Sequence, residues 1–155
     1  MAFRRIALAG SLILMTAAAL AAGGGASKAD EELIRAVLSA TEAANNEGDV
    51  DAWLALFAPE AVYMAPGAAE VRTTAGLRRV AEAGFSANAT TVTIEPQEIV
   101  VCGDWAFART RVTGSAVSRA SGKVYPVDVK QIVVYQRQDD GAWLIARLIS
   151  NSNLE

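Results

Sequence analysis

The chain contains no histidine at all and one cysteine, Cys102. Without an imidazole there is no Ser-His-Asp or Cys-His catalysis and no histidine-based metal site, and one thiol cannot replace them. No metal and no cofactor are therefore expected. A lone cysteine forms no intrachain disulfide even in an oxidising compartment, and Val100-Val101-Cys102 reads as a strand in which Cys102 is a small buried hydrophobe. A dense block of Lys and Arg is also missing, and the 155 residues carry a net charge of −3. Nucleic acid and anionic membrane surfaces are accordingly poor partners. No internal repeat and no second domain is visible.

Hydrophobic residues are plentiful, at 52%, which is enough for one real core. Some of that hydrophobicity lies outside the core. Arg4-Arg5, an apolar run from Ile6 to Ala22 and Gly23-Gly24-Gly25 follow one another in the order of a secretory signal peptide. Small residues at Gly24-Gly25-Ala26 and Ser27-Lys28-Ala29 offer cleavage sites. An uncleaved anchor is the alternative, although the run is short and alanine-rich for a span of roughly 20 residues. Residues 1–29 are thus expected to be signal and lead-in, and residues 30–155 the domain. The expected location is periplasmic or extracellular, with no membrane contact after cleavage. Removing residues 1–26 takes away two arginines, leaving 12 basic against 17 acidic side chains, a net of −5.

Beyond the leader the texture is helical first and strand-like later. Leu33, Val37, Ala40 and Ala44 recur at helical spacing behind Asp30-Glu31-Glu32, where negative charge suits a helix start. Gly48 stops that helix, Asp49 caps a short second one through Trp53 to Phe57, and Thr73 or Thr74 caps a third through about Phe85. Residues 61–65 read as a short strand. Four longer strands are expected at 91–101, 104–115, 124–138 and 142–151, with turns at Cys102-Gly103, Ser121-Gly122 and Asp140-Gly141. The class is α+β: three N-terminal helices on one face of a curved antiparallel sheet. A two-residue turn at Asp140-Gly141 would pair Asp139 with Ala142, Val134 with Arg147, Ile132 with Ile149 and Lys130 with Asn151. Asp128, Trp143 and Ile145 would then share the Lys130 face, opposite Val129, Val133, Tyr135, Leu144, Ala146 and Leu148. Both faces are rich in apolar residues, so one is expected to line a cavity and the other to form a sheet-to-sheet homodimer.

Four landmarks carry a family resemblance over Glu31 to Asn153: Glu47-Gly48-Asp49, Leu56-Phe57-Ala58-Pro59-Glu60-Ala61-Val62-Tyr63, Gly103-Asp104-Trp105-Ala106, and the ending from Trp143 to Asn153. Taken in order they resemble the SnoaL-like, ketosteroid-isomerase-like domains. The resemblance implies the cone-shaped fold of nuclear transport factor 2, scytalone dehydratase and polyketide cyclases, a cavity between sheet and helices, and dimerisation through the sheet. It also implies that Lys130, Arg147 and Asn151 face the cavity. The isomerase's proton-shuttling aspartate falls on Ala65 and its oxyanion tyrosine on Thr41, so steroid isomerisation by that constellation is not expected: a methyl group is no base.

The candidate cavity residues are therefore Tyr63, Lys130, Arg147, Asn151, Arg109 and, as a wall, Trp105. Asp128 is the candidate catalytic base, with Lys130 and Arg147 stabilising an enolate or carboxylate. The competing reading makes Asp128 a structural ion-pair partner of Lys130 or Arg147. Two functions follow. One is an exported pocket protein for a small hydrophobic carbonyl- or carboxylate-bearing ligand, extending to isomerase, cyclase or lyase chemistry. The other is a non-catalytic dimeric module whose useful surface is external.

Overall fold

The computed structural model describes residues 28–154. The expected signal peptide and its cleavage sites lie almost wholly outside the described residues. Helix α1 runs Lys28–Glu47, α2 Val50–Ala55 and α3 Thr74–Ala87; the strands are β1 Phe57–Met64, β2 Asn88–Cys102, β3 Trp105–Ser118, β4 Val124–Arg137 and β5 Trp143–Ser152. The helix ends follow the expected chemistry. Gly48 takes φ +67°, a conformation easy only for glycine, and the Asp49 N–H turns back to the Ala44 carbonyl at 3.0 Å. Asp49 then accepts from Ala52 N at 2.9 Å and Thr73 from Gly76 N at 3.0 Å, capping α2 and α3.

The sheet order is β1-β5-β4-β3-β2. Strands β2 to β5 form the expected antiparallel meander, and β1 adds a fifth strand parallel to β5. It begins at Phe57, earlier than expected, and carries Pro59 inside it, which an edge strand tolerates because one flank needs no ladder donor. The sheet is curved, and its inner face packs on the helices. Ile34 and Leu38 of α1, Trp53 of α2 and Leu77 of α3 meet Ala108, Val133, Tyr135, Ile145 and Leu148, all essentially inaccessible to solvent. Gly114 lets β2 and β3 approach closely: a Cβ there would lie 2.1 Å from the Thr91 carbonyl oxygen.

The β4–β5 hairpin departs from expectation in a way that moves the site. Gln138 N bonds to Ala142 O at 2.8 Å and Gly141 N to Gln138 O at 2.9 Å, with Gly141 at φ +87°. The loop is thus three residues long, and Arg137, Gln136 and Tyr135 pair with Trp143, Leu144 and Ile145. A bulge at Ala146 then restores the phase, so that Val134–Arg147, Ile132–Ile149 and Lys130–Asn151 pair as expected. An extra residue on one strand reverses which face its neighbours occupy. Between turn and bulge, Trp143 and Ile145 consequently sit on the inner face, not with Lys130. There the Trp143 indole donates to Asp30 at 3.3 Å, and the Arg137 guanidinium lies over its ring while bonding Asp30 at 2.6 Å. This locks the start of α1 to the hairpin.

Candidate functional site

A cavity of about 220 Å³ lies between the inner sheet face and the helices. Its apolar walls include Leu38, Trp53, Val112, Val133, Ile145 and Leu148, and its polar lining is Thr41, Asn45, Thr90, Gln131, Tyr135 and Ser150. Among the described residues no Asp, Glu, Lys or Arg lines it. The wall is fully buried at Tyr135 and Ile145 and partly exposed at Val127, Val129 and Thr90, so the closed end is at Tyr135 and the mouth lies toward Thr90, Val127 and Val129.

The neutral polar groups differ in how committed they are. Thr41 Oγ1 donates to the Val37 carbonyl at 2.8 Å and Thr90 Oγ1 to the Asn45 carbonyl at 2.7 Å, which leaves each hydroxyl oxygen as an acceptor. Asn45 is turned back to the Thr41 carbonyl at 2.7 Å. Gln131 and Ser150 are cross-strand partners; the Gln131 carbonyl oxygen accepts from Thr110 Oγ1 at 3.3 Å. Ser150 hydrogen-bonds Tyr63, whose ring stands edge-on to Trp53 at 6.1 Å. Burial raises the Tyr63 hydroxyl above its ordinary value and the Ser150 bond partly offsets it. The Tyr135 hydroxyl is also pushed well above its ordinary value by burial, and it has no hydrogen-bond partner among the described residues. Both phenols therefore stay protonated through the neutral range.

The residues singled out from sequence lie mostly elsewhere. Tyr63 is on the inner side, behind the wall formed by Trp53 and Ser150. Lys130, Arg109, Arg147, Asn151, Asp128 and Trp105 occupy or border the outer face. The structure does bring Arg109, Lys130 and Asn151 together, around Ile132 and Ile149 in a shallow hollow of about 190 Å³, but with the thickness of the sheet between them and the cavity. The cause is strand alternation: the cavity is lined by the odd-numbered residues of β4, Val127 to Tyr135, and the expected set was drawn from the even ones. Asp128 is paired, with Arg111 and not with Lys130 or Arg147. Arg111 Nε and Nη2 grip its carboxylate at 3.0 and 2.7 Å, and Asn153 Nδ2 adds a third bond at 2.8 Å. These contacts hold the Asp128 carboxyl at about 2, below its ordinary 3.8, which makes it a weak base. Arg147 donates to the carbonyls of Ala146 and Glu60, at 2.6 and 3.2 Å, tying β5 to β1 across the bulge. Arg109 bonds Gln97 and Glu98. Trp105 is 45% exposed, and Cys102, expected to be buried, is exposed because Val101 takes the inward position beside it. Ala65 follows β1 and does not line the cavity, whereas Thr41 does.

The polar cavity residues outside the set expected from sequence are Thr41, Asn45, Thr90, Gln131, Tyr135 and Ser150. A usable signal existed: Gln131 interrupts the apolar series Val129, Val133, Tyr135, as Ser150 interrupts Leu148 and its neighbours. Lone polar side chains on an otherwise apolar strand face mark places where an internal partner is needed. Among the described residues no group of three or more His, Cys, Asp or Glu side chains is placed to hold a metal ion.

Among solved structures the chain is similar to a ketosteroid isomerase-like protein from Erwinia carotovora atroseptica, with 25% identity over 83% of this chain and 100% of that one and a TM-score of 0.78. It is similar in fold to a nuclear transport factor 2-like superfamily protein from Salmonella enterica, with 16% identity, 81% and 92% coverage and a TM-score of 0.71. A hexachlorocyclohexane dehydrochlorinase shares the fold at 14% identity, 81% and 86% coverage and a TM-score of 0.73. No curated protein matches. The model of the SnoaL-like domain matches residues 38–146, which spans all three helices in whole or part and most of the sheet. The chain belongs to the SnoaL-like domain family and has the α+β fold of the ketosteroid isomerase-like and nuclear transport factor 2-like proteins.

Proposed function

We propose that this protein takes up one small, uncharged, mainly apolar molecule in its inner cavity. The observation that carries this reading is the lining itself: apolar walls, a few neutral hydrogen-bonding groups, and no ionic side chain among the described residues. A carboxylate entering such a cavity would lose its hydration without gaining a cation, a cost that a neutral ligand does not meet. The volume sets the scale. It exceeds the roughly 150 Å³ that holds benzene in an engineered cavity and falls below the roughly 300 Å³ at which drug-sized pockets begin. A single-ring molecule with a short substituent fits.

Binding is favoured over turnover. The family includes enzymes, but removing a proton beside a carbonyl needs a positioned base. Among the described residues the polar groups that line the cavity are hydroxyls, amides and one phenol, and the Glu42 carboxylate beside it is engaged by the Ile94 N–H at 2.7 Å. Export by the segment 1–29 remains part of the proposal, supported by Arg4-Arg5 and the apolar run after it.

The outer sheet face is proposed to pair with a second copy of the chain. Val100, Trp105, Ile132 and Ile149 expose apolar surface there, flanked by both signs of charge, Arg109 and Lys130 against Glu98 and Asp128. A face that carries its own complement suits a two-fold contact. Ile149→Asp should leave a folded monomer in sedimentation; a wild-type protein already monomeric at high concentration would end that part of the reading.

The pocket reading is tested by native mass spectrometry of the protein after exposure to cell extract. An uncharged small molecule should be retained by wild type and by Lys130→Ala, and lost from Val129→Phe, which narrows the mouth. A ligand lost from Lys130→Ala and kept by Val129→Phe would place binding on the outer face instead.

A further inference from the structure

The Tyr135 hydroxyl is the one buried side-chain polar atom among the described residues with no hydrogen-bond partner. Its residue is fully inaccessible and lines the closed end of the cavity. Buried hydroxyls are nearly always satisfied, and one left unpaired is costly. The surrounding wall gives it no partner: its cross-strand neighbours are Ala106 and Ile145. Arg137, two residues along the same face of β4, is taken up by Asp30 and the Trp143 ring, and Gln131 is four residues the other way, roughly 13 Å at strand rise. Resting on the pocket reading above, we infer that Tyr135 is a fixed neutral hydrogen-bond donor that selects ligands carrying an uncharged acceptor oxygen, a ketone or aldehyde carbonyl, at the end that enters first.

The chemistry favours a carbonyl over other oxygens. A carbonyl oxygen only accepts, and the phenol, which burial keeps protonated, has a proton to give. An alcohol would bring a hydrogen of its own into a region with no free acceptor beyond the phenol oxygen, and so would leave a donor unmatched. An anion would gain this one bond and forfeit its hydration. The apolar residues around the closed end, Leu38, Ile145 and Leu148, would hold the carbon skeleton and exclude competing water. Exclusion is what makes a single neutral bond worth selecting on. The committed hydroxyls, Thr41 buried on α1 and Thr90 nearer the mouth, retain acceptor lone pairs only, so they do not compete for the carbonyl.

The test uses two probes of almost the same shape, acetophenone and α-methylstyrene, in which C=O is replaced by C=CH2. Both are titrated calorimetrically into the full chain and into Tyr135→Phe. The variant removes a costly unpaired hydroxyl and keeps the ring, so it should fold with a melting temperature at or above wild type. Acetophenone should bind wild type about tenfold more tightly than Tyr135→Phe, while α-methylstyrene should bind both alike. In the infrared, the carbonyl stretch of bound 13C-labelled acetophenone should move to lower frequency in wild type and return in the variant, a signature that a packing role for Tyr135 would not produce. Equal loss of both probes in Tyr135→Phe, or an unshifted carbonyl band, would overturn the donor assignment while leaving the pocket reading in place. Failure of both probes to bind wild type would overturn the pocket reading, and this inference with it.

Discussion

Strand β4 presents two different proteins to its two sides. Toward the helices it offers Val127, Val129, Gln131, Val133 and Tyr135, and the surface they build is enclosed and without formal charge. Outward it offers Asp128, Lys130, Ile132 and Val134, where cations sit beside apolar side chains in a shallow hollow. The same backbone serves both, since alternate residues of a strand point to opposite faces. Function is therefore assigned by parity. A reading that is off by one residue transfers the charges of Asp128 and Lys130 from the outer face to the cavity lining.

The largest expected effect comes from attacking parity in the strand that carries both faces. Deleting Val134 makes Val133 and Tyr135 neighbours in β4, so either Tyr135 turns outward or Val133, Gln131 and Val129 do. Either outcome removes core residues from the inner face, and the loss should exceed about 5 kcal/mol, comparable with the whole stability of a domain this size. Circular dichroism and thermal melting should show no cooperative transition. A native-like melt would mean that parity along β4 does not define the core.

Next in size is a pair of matched truncations on β5. Ile145, 1% exposed, and Ile149, 39% exposed, stand on opposite faces. Ile145→Ala should cost roughly 2–5 kcal/mol in urea unfolding, and Ile149→Ala under about 1 kcal/mol when measured on the monomer. Similar costs at the two sites would erase the distinction between a core face and a surface face.

Adjacent residues sharpen the functional side of the comparison. Val129→Phe should weaken uptake of a neutral single-ring ligand tenfold or more, because it fills space at the mouth, whereas Lys130→Ala should leave the affinity within about twofold. Calorimetry on the two variants reads this directly.

The smallest effect concerns Asp128. Arg111 and Asn153 favour its ionised form, which lowers its pKa in the folded protein to about 2. The sign follows: the contribution of this clamp is fully present above the ordinary value of 3.8 and is lost as pH falls through about 2. Carboxyl chemical shifts in a carbon-detected titration should place the Asp128 midpoint near 2, and Arg111→Ala should move it up. Because the pair is largely solvated, its effect on overall stability should be slight.

Much of the fold was legible in the chain. Gly48-Asp49 and Thr73 announced their caps, three helices preceded a meander, and the pairs Lys130–Asn151 and Ile132–Ile149 were correct. They were correct because two deviations cancel: a turn one residue longer than Asp140-Gly141 suggested, and a bulge of one residue at Ala146. The Asp-Gly signal is compatible with both two- and three-residue loops, and nothing about an alanine between Ile145 and Arg147 marks a bulge. The side of the sheet that faces the helices was not legible from apolar content, since Ile132, Val134 and Ile149 make the outer face nearly as apolar as the inner. The charged side chains Asp128 and Lys130 of β4 lie on the outer face. The pairing of Asp128 with Arg111, in place of Lys130, was hidden for a related reason: it joins neighbouring strands β3 and β4 diagonally, and only the register of both fixes it.

The most direct test places a neutral and an anionic ligand against the two faces at once. In methyl-labelled protein, Val133 and Leu148 report on the inner cavity, and Ile132 and Ile149 on the outer hollow beside Lys130. Titration with acetophenone should shift the Val133 and Leu148 methyl resonances and leave those of Ile132 and Ile149 in place, and benzoate should shift neither pair. Benzoate moving the Ile132 and Ile149 methyls, with acetophenone leaving Val133 and Leu148 undisturbed, would contradict the account and return the site to the charged face.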